Sequence, residues 1–167
     1  MGAGKYLAII AALLTILGTF LFSWLGVATI HMSGLGFFNE IGTKMQNIDL
    51  FALGAGVDTI VAYILIVLVI LVIISGFIQL AGIKSRAAIG IFSIFPLILG
   101  FIFILGEYAN VLFNEAVFIG IMTIGNQIGD VIPFNIALDG LNLGVYLILG
   151  GGVLGIISAA LPREDVY

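Results

Sequence analysis

Charged residues are so sparse in this chain that four long stretches contain no Asp, Glu, Lys or Arg. They are 6–39, 59–83, 87–106 and 140–162. About 20 apolar residues are needed for a helix to cross the hydrocarbon core of a bilayer, and each stretch is long enough. An ordinary soluble domain is about a quarter charged. This chain is 8% charged and 62% hydrophobic over 167 residues, too little polar surface to cover a globule in water. The predicted fold is therefore all-α: an integral membrane four-helix bundle forming a single membrane domain, 1–167. The spans are placed at 6–30, 59–83, 87–106 and 141–161. Lys5 precedes an apolar run, as in a signal peptide, but the run far exceeds the roughly 7–15 residues of a cleavable core. The first span is read as retained.

The stretch 116–138 is apolar yet holds Asn126, Gln127, Asp130, Pro133 and Asn135. Asp near a helix centre costs about 2.5–3.5 kcal/mol on the insertion scale, so this stretch is read as extramembrane or re-entrant. With four spans, Lys5, Lys84, Arg86 and Arg163 fall on one side and only Lys44 on the other. The positive-inside rule then makes both termini cytoplasmic, in what is expected to be the plasma membrane. Glu40, Asp49, Asp58, Glu107, Glu115, Asp130 and Asp139 lie outside. Those acids keep the outer loops soluble or, in a sharper reading, concentrate cations; Glu40, Glu115, Asp130 and Asp139 are the candidate acidic surface.

The two external segments, 31–58 and 107–140, are rich in Ile, Leu, Phe, Val and Met, unlike solvated linkers. They are expected to fold into short amphipathic helices that cap the bundle. In the first, Phe38, Ile41, Met45 and Ile48 follow helical spacing, with Glu40 and Lys44 paired at i, i+4. In the second, Phe113, Val117, Ile121, Ile124 and Ile128 form a stripe that Phe118, Ile119 and Met122 widen. Phe113, Val117, Phe118, Ile121 and Met122 are the candidate contact surface, packed on the other external helix or against a neighbouring protein. Phe38-Asn39-Glu40 recurs as Phe113-Asn114-Glu115, as a tandem repeat of span, external helix and span would require.

The ingredients of catalysis are nearly absent. The chain has no cysteine and one histidine, His31, where the first span leaves the membrane. A zinc or haem site within one protomer is not expected, nor any other cofactor. No H-E-x-x-H, G-x-S-x-G or G-x-x-x-x-G-K pattern occurs. Five widely spaced bases cannot track nucleic-acid phosphates. No ionisable residue falls inside the spans, which argues against an ion-coupled transporter. Trp24 is assigned to the aromatic belt at the outer surface. Gln79 either snorkels or bonds between helices, and Pro96 should kink the third span unless neighbours compensate. In the fourth span, Gly144, Gly151, Gly155 and Ser158 present a small-residue surface that lets helix backbones approach, within the protomer or between protomers.

In topology the chain resembles the four-span class with cytoplasmic termini and two external segments, as in claudins and tetraspanins. It has neither the paired cysteines of the claudin first external segment nor the Cys-Cys-Gly motif of tetraspanins, so no functional residue carries over. The expected function is that of a non-enzymatic membrane protein. It self-associates as a structural component or joins other subunits as an accessory. The alternative is a small oligomeric cation channel with an acidic external mouth.

Overall fold

The computed structural model describes residues 2–27, 30–109, 127–129 and 131–162. Four helices are long and apolar enough to cross a membrane: α1 (Ala3–Phe20), α4 (Thr59–Ala81), α5 (Arg86–Ala109) and α6 (Leu143–Ala160). They close into a ring, α1 packing on α6, α6 on α5, α5 on α4 and α4 back on α1. Each also turns large apolar side chains outward, such as Ile10, Ile64, Phe101 and Val153. A helix apolar on all sides suits a bilayer, where lipid covers what the bundle core does not.

Two short helices, α2 (Gly34–Gln46) and α3 (Ile48–Ala55), join α1 to α4. Local chemistry sets their ends. Ser33 Oγ accepts the Gly36 N–H at 3.2 Å and starts α2. Gly56, at φ 67°, adopts the left-handed conformation that ends α3. Asp58 then caps α4 by accepting the Ile60 N–H at 2.8 Å.

The chain is mostly helical but not all-α. Strands β1 (Leu25–Val27) and β2 (Ile30–Met32) form one antiparallel hairpin, and β3 (Ala137–Leu138) and β4 (Leu141–Asn142) form another. Asp139 and Gly140 make the second turn with φ 51° and 93°, the positive values a tight two-residue hairpin requires. Because β1 occupies 25–27, the first span ends at Phe20 rather than 30. The bare hydropathy of 21–32 misled the expectation. Leu21, Ser23 and Trp24 bond between segments: the Trp24 N–H donates to Met32 O at 2.7 Å, Phe134 to Leu21 O at 2.7 Å, and Gly144 to Ser23 O at 3.0 Å.

Of the expected stripe Phe38, Ile41, Met45 and Ile48, only Ile41 and Ile48 pack on the core. Phe37 and Lys44 are buried, while Phe38 and Met45 are exposed. Gly34 opens α2 in close contact with Thr19 and Trp24, where a side chain would not fit. The Lys44 ammonium is not stranded: it lies 4.4 Å from the Phe51 ring centroid and 3.6 Å from Glu40 Oε2. Trp24 is likewise not a belt residue. It is fully buried, donates Nε1–H to Gly18 O at 2.8 Å, and packs 5.7 Å from the Phe103 ring. A neighbouring carbonyl satisfies its one donor.

Candidate functional site

Three arrangements bring together buried polar groups among the described residues. The first is the set of helix crossings inside the ring. Gly151 faces the Thr15 hydroxyl, Gly155 the Ser93 hydroxyl, and Gly144 the Ser23 carbonyl, with a Cβ at Gly144 lying 2.5 Å from that oxygen. Ser158 Oγ donates to Gly4 O at 2.6 Å. Gly144, Gly151, Gly155 and Ser158 thus all lie in crossings within one chain. Each glycine pairs a missing side chain with a small polar group, which lets backbones approach closely.

The second is the Gln79 contact between α4 and α5. Pro96 lacks an N–H, so the Phe92 carbonyl four residues earlier loses its helical donor. Gln79 Nε2 supplies one, at 3.4 Å from Phe92 O and 3.1 Å from Ser93 Oγ. The residue is fully buried, so it bonds between helices and does not snorkel. With this donor in place α5 runs as one helix through Pro96. Neither residue alone announces the pairing; a lone glutamine one helix away from an intramembrane proline is the signal that could have.

The third is a polar knot where the two connections meet. Asn142 Nδ2 donates to Ser23 Oγ at 2.8 Å and to Asn135 Oδ1 at 2.7 Å. Ser23 Oγ lies 3.2 Å from Asn135 Oδ1 and 3.3 Å from Phe134 O. A Cβ at Gly26 would meet Asn135 Oδ1 and Asn142 Nδ2 at 2.9 Å and His31 Nδ1 at 3.0 Å, so the knot closes only around glycine. His31 Nδ1 is buried without a partner. These groups are neutral amides and a hydroxyl with no base bonded to them, a lock between segments and not an activated nucleophile.

Of the candidate acids, Glu40 and Asp139 fall among the described residues. Glu40 is paired with Lys44. Asp139 serves the β3–β4 turn, where Tyr108 donates its hydroxyl to Asp139 O at 2.6 Å. Glu115 and Asp130 lie outside the described residues, as do Phe113, Val117, Phe118, Ile121 and Met122 and with them Phe113-Asn114-Glu115, the second copy of the repeated triplet. Among the described residues no group of three His, Cys, Asp or Glu could hold a metal ion. A cavity of about 360 Å³ between α4 and α5 is lined by Val61, Ile64, Leu68, Phe95, Ile98 and neighbours, all apolar. It offers no polar group to orient a ligand.

The described surface has one further feature. Asn39 Nδ2 donates to Gln127 Oε1 at 2.8 Å, joining α2 to the α5–α6 connection. Beside that bond in sequence stand Phe38 and Ile128, with Met45 two turns further along α2 and Val131 a few residues beyond Ile128. They are 57%, 56%, 44% and 56% exposed.

The fold and these sites define a membrane-embedded four-helix protein with structured connections at one end. Comparison with protein families, curated proteins and solved structures finds no match.

Proposed function

We propose that this protein is a non-enzymatic membrane component that self-associates through its capped end, as a structural element or an accessory subunit of a membrane assembly. The observation that carries this reading is the exposure of Phe38, Met45, Ile128 and Val131 on two connections that the Asn39–Gln127 bond joins beyond the ends of the long helices. Large exposed side chains of this kind, outside the hydrocarbon, are the mark of a contact surface. The glycine crossings are filled within the protomer, and Gln79 and Ser158 donate helix to helix, to Ser93 and Gly4. Neither supports a pore through one chain.

In the bilayer the protein stands with both termini on the cytoplasmic side of the plasma membrane. Lys5 lies in the first turn of α1, and Lys84 and Arg86 lie at the α4–α5 turn, at the same end of the bundle, whereas Lys44 is at the other. That distribution fits the positive-inside rule. The partners are lipid, further copies of the chain or other membrane subunits.

The test is particle mass in native nanodiscs as a function of protein concentration. The wild-type chain should form assemblies of two or more copies. Phe38→Ser with Met45→Ser should weaken association about tenfold or more, since each apolar side chain is worth about 1.5–3 kcal/mol when fully buried. A wild-type protein that stays monomeric at every concentration would refute self-association. A ring with cation conductance that falls on Glu40→Gln would replace this reading by the channel.

A further inference from the structure

α3 (Ile48–Ala55) is the least explained element of the fold. Its inner face is settled: Ile48 and Ala52 are buried in the core cluster, and Phe51 packs beside them under Lys44. Its outer face is not. Leu50 and Leu53 are 68% and 80% exposed, and nothing lies within 4 Å of where a Cβ on Gly54 would be. Asp49, in the first turn, is the only charged residue in the helix.

Geometry fixes where this face sits. Both ends of α3 are tied to the start of α4. At one end, Asp49 Oδ1 accepts the Thr59 hydroxyl at 3.2 Å. At the other, only Gly56, Val57 and Asp58 separate Ala55 from Thr59, and Val57 turns back to donate to Ala52 O at 3.0 Å. A helix of this length is about 12 Å long. With both ends held at the first residue of a membrane-crossing helix, it cannot rise away from the bilayer. It must lie along the boundary between headgroups and acyl chains.

We propose that α3 is an interfacial anchor whose Leu50 and Leu53 insert into lipid at the boundary where α4 enters the membrane. The face continues, along the chain, the outward apolar stripe of Ile60 and Ile64 on α4. Helices that lie in the interface carry this kind of leucine face with no charge on the buried side. A second copy of the chain is the competing occupant. The one charge beside that face, Asp49 one turn before Leu53, is engaged by the Thr59 hydroxyl of the same chain, and the helix sits at the lipid-covered edge of α4. The inference rests on the placement of α4 in a bilayer and not on self-association.

The chain has no cysteine, so single nitroxide labels can be placed without background. Leu53→Cys, Ile64→Cys and Lys84→Cys are labelled in phosphatidylcholine vesicles, and collision with oxygen is compared with collision with a water-soluble nickel chelate. All three sites are exposed, so the labels do not disturb the core. The ratio of oxygen to nickel collisions at position 53 should exceed that at 84 severalfold and fall below or near that at 64. It should also be independent of the protein-to-lipid ratio. A ratio at 53 equal to that at 84 would overturn the anchor. Dipolar broadening at 53 that grows with protein density would overturn it in favour of a second copy. A low ratio at 64 as well would instead show that α4 is not in lipid, which overturns the placement on which the anchor rests.

Discussion

Replacing Gln79 and Pro96 singly and together tests the most specific packing statement the structure makes. Gln79→Leu removes two bonds made by one amide nitrogen, to Phe92 O at 3.4 Å and Ser93 Oγ at 3.1 Å. Hydrogen bonds between membrane helices are worth about 0.6 kcal/mol on average and up to about 1.7. The longer bond lies at the weak end of that range. The substitution also removes Gln79 Oε1, which is buried without a partner and carries a desolvation penalty. The net cost of the single change is thus about 0–1.5 kcal/mol, and its size alone decides nothing. The coupling is more informative. Pro96→Ala restores an N–H that can serve the Phe92 carbonyl, which makes the Gln79 donor largely redundant. Gln79→Leu should then cost about 0.5–1 kcal/mol less in a chain that already carries Pro96→Ala than in the wild type. The measurement is a double-mutant cycle by equilibrium unfolding in mixed detergent micelles, followed by circular dichroism. A coupling of zero, with both single variants folded, would refute the claim that Gln79 compensates the proline.

Two further outcomes follow from close contacts. A Cβ at Gly155 would overlap the Ser93 hydroxyl, so Gly155→Ala should destabilise the bundle by about 1–3 kcal/mol, and Ser93→Gly should recover part of that loss in the same unfolding assay. Asp139 holds φ 51° in the β3–β4 turn, so Asp139→Val should cost about 1–2 kcal/mol while Asp139→Asn is nearly neutral, as read from the same unfolding curves.

The long helices were legible because hydropathy reports solvent. Where charges vanish for about 20 residues or more, backbone groups have no water to turn to and must bond within the segment. The structure ends its helices where a residue has a local reason to do so, as at Ser33, Gly56 and Asp58. The first span was overextended for the complementary reason. Residues 21–32 are as apolar as a membrane helix, but the carbonyls of Leu21, Ser23 and Trp24 are satisfied by Phe134, Gly144 and Asn142 from elsewhere in the chain. No local pattern records such partners. The surface of α2 shows the same limit at finer scale. Its helical period was readable from Ile41 and Ile48, but the close contact of Gly34 with Thr19 and Trp24 is one that only the folded chain brings together.

The same division holds for the candidate sites. The sequence by itself determined what this protein lacks the residues to do: it has no cysteine, one histidine and none of the catalytic spacings, and those facts need no geometry. It also determined that small residues in the fourth span would serve close helix approach. Which helices they meet was decided by the tertiary structure, where Thr15, Ser93 and the Ser23 carbonyl fill the places the glycines leave open. The chemistry of a residue is local, and so is its readiness to pack. What it packs against depends on how four nearly featureless apolar surfaces fit around one another. That fit turns on a methyl group or a hydroxyl at each crossing, a detail that averages over hydropathy cannot contain.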